Sequence, residues 1–229
     1  MRKITKLICG ITTAVIMLTA CGSDSSESKT ESTAASSTVE ETVEATSTPE
    51  PTEVPMPEPT EEPSLDDLEP TAFRISDLSG MLGKTSNEIE SAYPDTTFID
   101  DDSGQFPAIG TNGQIVDGDC RIVVQFINGK AVAALAYFDL NNATSLYVGE
   151  KYMKIRNTLN QNMGDPVVAY DPGYTDVSAS QVGMAFEDGK EVNEKWTGDT
   201  YSAETYIMNA EDSAMLLTFY TQEYADALS

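Results

Sequence analysis

Aromatic residues divide this chain into a part that can build a hydrophobic core and a part that cannot. All 18 aromatic side chains lie in residues 71–229, and none lies in residues 22–70. The segment 22–70 instead holds 14 acids, one base and seven of the 11 prolines. A charged segment with so little apolar surface to bury stays disordered. We therefore expect one folded domain over 71–229, preceded by a Ser/Thr/Glu/Pro tether over 21–70.

Charge and the absence of histidine exclude several classes of function. The chain has no histidine and a formal net charge of −25. Ser–His–Asp and Cys–His catalysis and histidine-ligated metal sites cannot be built from this chain alone. Nucleic-acid binding requires a basic face to neutralise phosphates, which so acidic a chain cannot supply. We expect no nucleic-acid partner and no cofactor.

The first residues have the pattern of an export signal. Three basic residues open the chain, and a mostly apolar run of 14 residues follows over 7–20. That run is shorter than the ~20 apolar residues that span a bilayer, and it fits a signal peptide over residues 1–20. It ends in Leu18-Thr19-Ala20-Cys21, which resembles the lipobox of bacterial lipoproteins.

The lipobox resemblance implies a lipid anchor. Cleavage would fall between Ala20 and Cys21, and the Cys21 sulfur would carry a diacylglyceryl group. Two acyl chains give stable anchoring where one chain is marginal. The resemblance thus implies a lipoprotein on the extracytoplasmic face of the cell membrane. A plain secretory signal with a chance cysteine is the alternative.

Local signals predict an alternation of short helices and antiparallel strands. Thr85 with Glu88 has the capping-box spacing and starts a helix that runs to about Tyr93. Asn128-Gly129 is a strong hairpin signal between a strand over 120–127 and a return strand over 131–138. Residues 77–83 read as a turn-rich entry.

The second half continues the same pattern. A helix opens at Val148-Gly149-Glu150 and closes at Gly164, because Gly is favoured just past a helix end. Its predicted buried stripe follows helical spacing: Tyr152, Ile155, Leu159 and Met163. Strands are predicted near 166–171, 181–187, 191–197, 203–209 and 214–221. The predicted fold class is α+β, an antiparallel sheet with short helices packed on one face.

Two similarities suggest a tandem repeat of residues 71–141 and 142–229, and a single unit is the alternative. Leu82-Gly83-Lys84 before a helix corresponds to Val148-Gly149-Glu150, and the hairpin over 126–132 corresponds to 186–192. A helix followed by an antiparallel meander resembles the beta-lactamase-inhibitor-protein-like fold, which the small outer-membrane-assembly lipoproteins share. The matching positions within 80–221 are Gly83, Ile89, Pro94, Gly149, Ile155, Leu159, Gly164 and Pro166.

Few residues suggest chemistry. Cys120, in a strand with Arg121 on the opposite face, reads as a buried inert thiol. The acidic runs over 100–104, 117–119 and 171–176 read as solvated turns, with divalent-cation binding as the alternative. A pair of carboxylates hydrolysing wall glycan is also open, although no local motif marks a particular acid.

Aromatic residues concentrated in the second half suggest a binding face. They are Tyr170, Tyr174, Trp196, Tyr201, Tyr206, Tyr220 and Tyr224. We take Trp196, Tyr201 and Tyr206 as candidate binding residues, with ordinary sheet packing as the alternative for each. The expected function is non-catalytic: a lipid-anchored lipoprotein that binds another envelope or secreted protein through its sheet. The alternatives are a cell-wall or cation-binding module and a carboxylate-based wall hydrolase.

Overall fold

The computed structural model describes residues 64–102, 104–167, 177–209 and 212–229. The predicted signal peptide, Cys21 and the tether up to residue 63 lie outside the described residues, as do Tyr170, Tyr174 and the acidic run 171–176. Among the helices in the described ranges, none is both long and apolar enough to cross a membrane.

The first half of the described chain contains a short 3-10 helix, two helices and five strands. In chain order they are the 3-10 helix Leu65–Asp67, β1 Thr71–Ala72, α1 Ile75–Met81, α2 Ser86–Ala92, β2 Ile99–Asp100, β3 Ala108–Ile115, β4 Gly118–Ile127 and β5 Lys130–Asp139. The second half contains three helices and three strands. They are α3 Ser145–Met163, α4 Ala179–Glu187, β6 Val192–Thr197, β7 Ser202–Met208, β8 Ala214–Tyr220 and α5 Gln222–Ala227.

The strands form one sheet in the order β1–β3–β4–β5–β8–β7–β6, with β2 also pairing with β3. Every pairing is antiparallel except that of β1 with β3. Helices α1 to α4 contribute to one large core against one face of this sheet. The α+β prediction is therefore confirmed, although α5 packs with Val132, Ala133 and Tyr220 in a separate, smaller cluster.

Each half of the domain contains two helices followed by a three-stranded meander, and the first half adds the 3-10 helix, β1 and β2, whereas the second adds α5. The last strands of the two meanders, β5 and β8, pair with each other and join the halves, with Leu135 opposite Thr218. The sequence correspondences proposed above were wrong in detail. Residues 126–132 form a strand–turn–strand hairpin, whereas 186–192 link the end of α4 to β6. Likewise, Val148-Gly149-Glu150 lies inside α3, which begins earlier, at Ser145.

Local sequence signals predicted the structure correctly where they depend on interactions between residues close in sequence. Thr85 and Glu88 form the predicted capping box of α2. Asn128 and Gly129 both adopt positive φ, at 52° and 74°, in the predicted β4–β5 hairpin, as a tight hairpin turn requires. In α3, Tyr152, Ile155 and Leu159 are buried as the stripe predicted.

Two local predictions were wrong, and so was the described part of a third. Residues 181–187 belong to helix α4 and not to a strand; Ser178 and Gln181 form a capping box at its start. The turn-rich entry over 77–83 is mostly helix α1, which buries Ile75, Leu78 and Met81. Of the predicted strand 166–171, Pro166 and Val167 are not in a strand, and 168–171 lie outside the described residues.

Helices α3 and α4 cross at two glycines. A Cβ built on Gly149 would lie 1.9 Å from the carbonyl oxygen of Ala179, and one built on Gly183 would lie 2.5 Å from that of Ser145. Real Cβ atoms do not approach backbone atoms so closely. The two glycines therefore set how closely these helices approach each other and the sheet beneath them.

Candidate functional site

The second face of the sheet, opposite α1 to α4, is covered over the first meander. Asn112 donates from Nδ2 to the carbonyl oxygens of Leu65 and Leu68, at 2.6 and 2.9 Å, which holds the 3-10 helix against β3. Gly104 lies so close to Gln125 that an added Cβ would be 2.7 Å from its side-chain nitrogen. Short segments of chain therefore shield β3 and β4 from solvent. The first of these segments lies within the predicted tether over 21–70, so the prediction that the folded domain begins at residue 71 was wrong.

Over the second meander and β5, this face is only partly covered by the described residues. We call it the open face and define it by nine partly exposed side chains. They are Leu135, Asn193, Lys195, Ser202, Glu204, Tyr206, Met208, Leu216 and Thr218. They alternate along their strands with core residues, as side chains on the two faces of a sheet must.

An apolar row crosses the open face. In the antiparallel register Leu216 lies between Tyr206 on β7 and Tyr137 on β5. Tyr137 is nearly buried, at 8% exposure, whereas Tyr206 and Leu216 are partly exposed. The next row along the strands is more polar and places Thr218 between Glu204 and Leu135. Tyrosine is the residue type that most often dominates binding at protein interfaces, together with Trp and Arg.

Carboxylates lie along one side of the apolar row. Burial, and then hydrogen bonding to Glu191, raises the pKa of the Tyr206 phenol. Burial, and then the charges of Asp139 and Asp212, raises the pKa of Tyr137. We call these three carboxylates, Glu191, Asp139 and Asp212, the acidic rim. Within the described residues, none of the three forms an ion pair with a lysine or arginine.

Lys195 is the basic side chain of the open face. Its ammonium nitrogen lies 5.5 Å from the ring centroid of Tyr220, a distance typical of a cation–π contact. Hydrogen bonding to Tyr220 raises the pKa of Lys195. Lys195 pairs with Glu204, which lies two residues before Tyr206 on β7. The acidic rim lies on the other side of Tyr206, so the lysine is on the side of the open face away from that rim.

Of the three predicted binding residues, only Tyr206 lies on the open face. Trp196 is fully buried in the main core, and its indole Nε1–H donates to Asn160 Oδ1 at 2.8 Å. Tyr201 packs against the same core, and its ring makes an edge-type contact with that of Phe219. The interpretation of Trp196 as an exposed binding residue was therefore wrong, and Leu216 and Leu135 were missed as members of the face.

A buried polar cluster lies beneath α3. The Tyr152 hydroxyl and Arg156 Nε both donate to Oε2 of Glu194, at 2.5 and 2.7 Å. Glu194 has no exposed surface, and its other oxygen, Oε1, has no hydrogen-bond partner among the described residues. Burial is the largest cause that raises the pKa of Tyr152, followed by the charge of Glu194. Because Glu194 is enclosed, this cluster ties α3 to β6 and does not present a carboxylate to a substrate.

Cys120 lies in the core, at 6% exposure, as the sequence predicted for a buried thiol. Burial is the main cause that raises the pKa of this thiol from its ordinary value of 9.0 to about 12, and nearby Lys151 opposes the shift. A thiol that stays protonated at neutral pH is a poor nucleophile. Arg121 points away from it and pairs with Asp101 at 2.8 Å.

Alkaline pH is expected to destabilise the domain. The raised pKa of Cys120 means that the folded protein holds the thiol proton more tightly than the unfolded chain does. The contribution of this thiol to the free energy of unfolding is therefore full below pH 9 and is lost as the pH rises through about 12. Tyr224, whose pKa burial raises from 10.0 to about 12, adds to the loss over the upper part of this range. Urea unfolding at pH 8 and pH 11 should show a lower midpoint at the higher pH. The drop should be smaller in Cys120→Ala, and an equal drop in both proteins would contradict this assignment.

The acidic turns do not gather into a metal site in the described chain. Asp101 is 4% exposed and is engaged by Arg121. Across the described ranges, no group of three acidic or cysteine side chains is placed to hold a metal ion. A shallow cleft of about 410 Å³ lies between the start of α1, the end of β3 and the last turns of α3. The guanidinium beside it, that of Arg74, is held by Asp77 at 2.9 Å.

Comparison of this chain with protein-family models, with curated proteins and with solved structures gave no match.

Proposed function

We propose that this protein is a lipid-anchored extracytoplasmic lipoprotein that binds another envelope or secreted protein, without catalysis, through the open face. The observation that carries the proposal is the row formed by Tyr206, Leu216 and Tyr137, with Glu204 and Thr218 on one side and the acidic rim on the other. Protein interfaces have this anatomy, an apolar centre within a polar rim.

The asymmetry of the sheet supports this placement. The same face is shielded over β3 and β4 by the 3-10 helix and by the chain around Gly104. A partner that covers Tyr206 and Leu216 would gain roughly 25 cal/mol for each Å² of apolar surface buried. The open half is therefore the place where a partner would complete the burial.

The remainder of the proposal rests on the N-terminal sequence and on the fold. The lipobox-like Leu18-Thr19-Ala20-Cys21 supports an anchor at Cys21, and the acidic, proline-rich tether would hold the domain away from the membrane. The repeated order of two helices followed by a meander supports the resemblance to the beta-lactamase-inhibitor-protein-like fold.

Cross-linking in intact cells that produce the tagged full chain tests the proposal. We expect one reproducible cross-linked protein, reduced about tenfold or more in Tyr206→Ala/Leu216→Ala, because each truncated hot-spot side chain costs about 1–2 kcal/mol. Cys21→Ser should lose the lipid and leave the membrane fraction. Both partly exposed side chains can be shortened without opening the core.

The matched control shortens two exposed apolar side chains on the helical side. Leu146→Ala/Met184→Ala changes residues that are 63% and 42% exposed, and it should leave the cross-linked protein unchanged. If both double variants retain the partner equally, or lose it equally while remaining folded, the open face is not the binding surface.

A further inference from the structure

The open face is bordered by carboxylates, whose negative charge favours the binding of cationic groups. Its acidic rim places Glu191 at the start of β6 and Asp139 at the end of β5, three strand positions apart in the sheet. Strands are about 4.8 Å apart, so the rim extends roughly 14 Å along one side of the apolar row. None of the three rim carboxylates has a lysine or arginine partner in the described ranges.

Tyrosine rings next to carboxylates favour the binding of arginine and lysine side chains. The face of a tyrosine ring attracts guanidinium and ammonium groups, and arginine also binds a carboxylate in bidentate fashion. Glu191 contributes to the raised pKa of Tyr206, and the charges of Asp139 and Asp212 contribute to that of Tyr137. Each tyrosine of the apolar row is thus associated with at least one rim carboxylate.

We propose that the open face binds a cationic segment of the partner protein, in which arginine or lysine side chains meet the acidic rim and apolar side chains cover Tyr206 and Leu216. This inference rests on the proposed function and adds the chemistry of the partner. The partner's apolar groups supply the burial, and its basic groups fix the register, since charge complementarity governs specificity and association rate.

Charge disfavours the other possible occupants. The tether over 22–70 has 14 acids and one base, so it is repelled by the acidic rim. A second copy of the domain is also acidic, because residues 71–229 hold 24 acids and nine bases. An anionic lipid surface would be repelled for the same reason.

Three labelled peptides of equal length test the inference on the full chain held in zwitterionic nanodiscs. The first alternates arginine with valine and tyrosine, the second replaces each arginine by glutamate, and the third replaces each apolar residue by serine. We expect the first to bind at least about tenfold more tightly than either of the others, which corresponds to about 1.4 kcal/mol. Equal binding of the first and third peptides would show a general attraction to the net charge and would overturn the proposal.

Amide variants locate the interaction. Glu191→Gln/Asp139→Asn/Asp212→Asn keeps the shape of the acidic rim and removes its charge, and it should weaken binding of the first peptide about tenfold, because each exposed ion pair contributes modestly and three are lost together. Glu90→Gln/Glu150→Gln/Asp165→Asn removes the same net charge from exposed positions outside the sheet and should change binding less than twofold. Equal weakening by both triples, or none by either, would contradict the proposal.

The results separate this inference from the proposed function. If cross-linking depends on Tyr206 and Leu216 but the rim triple binds the peptide and the partner normally, then the open face binds a protein and only the cationic chemistry is wrong. If sedimentation shows that the full chain dimerises and Leu216→Asp dissociates the dimer, the occupant is a second copy, and the proposal fails.

Discussion

Arg156→Met is expected to destabilise the domain by about 3–5 kcal/mol, because it leaves the carboxylate of Glu194 buried without its ion-pair partner. Glu194 has no exposed surface, whereas Arg156 keeps 18% of its side chain exposed and donates to it at 2.7 Å. The Tyr152 hydroxyl would remain as the other donor to that carboxylate. Chemical unfolding at neutral pH measures the loss.

The double variant Arg156→Met/Glu194→Leu is the control for this prediction. Replacing both members of a buried ion pair by apolar residues is often neutral or stabilising, so we expect it to recover most of the stability lost by Arg156→Met. A double variant as unstable as the single one would show that packing of the Arg156 side chain, and not an uncompensated charge, explains the loss.

Gly149→Ala is expected to cost about 3 kcal/mol, at the upper end of the range for overpacked cores. The new methyl group would lie 1.9 Å from the Ala179 carbonyl oxygen, and a backbone atom cannot move aside as a flexible side chain can. Helices α3 and α4 would have to separate. Thermal unfolding should show a lower midpoint, and Gly183→Ala should behave similarly because its methyl group meets the Ser145 carbonyl.

Gly80→Ala provides a matched control within another helix. Gly80 lies in α1, and an added Cβ there would meet nothing within 4 Å. Alanine favours the helix over glycine by up to about 1 kcal/mol, so this variant should be slightly more stable than the original chain. A large loss of stability in Gly80→Ala would mean that glycine substitutions damage these helices for reasons other than contact.

Local hydrogen-bonding signals explain which elements could be predicted. The Thr85–Glu88 capping box and the Asn128-Gly129 turn act within a few residues of chain, so their outcome does not depend on the rest of the fold. Helix α4 carried a signal of the same kind in Ser178 and Gln181. The strand-like alternation of Val182, Met184 and Phe186 obscured it, although the buried residues Val182, Ala185 and Phe186 follow helical spacing.

Strand β3 could not be predicted from the sequence, because its two glycines lower the local preference for a strand. The packing of side chains from other elements requires those glycines. Gly113 lies beneath Ile122, whose side chain would be 2.5 Å from an added Cβ. Gly110 similarly leaves room for Asp101 and Leu65. Both contacts involve residues outside the strand, so the sequence of Ala108–Ile115 alone does not predict a strand.

The error at Trp196 has an electrostatic cause. Val192, Glu194 and Trp196 share one face of β6, and a glutamate among them suggests a strand face turned to water. The structure instead buries all three, since Arg156 and Tyr152 from α3 satisfy one oxygen of Glu194. Arg156 and Tyr152 lie 38 and 42 residues before Glu194 in the sequence. Only the folded chain could therefore assign Tyr206, and not Trp196, to the open face.

The pairing of β5 with β8 limits how an architecture of this kind can grow. Each meander uses its last strand to join the other, so the junction is complete with two units. In a solenoid, each unit offers the next one a fresh edge, and the array lengthens freely. Here an additional unit would find no edge at the junction. A protein built on this plan can acquire new binding specificity by exchanging the outward side chains of its sheet while the junction stays unchanged.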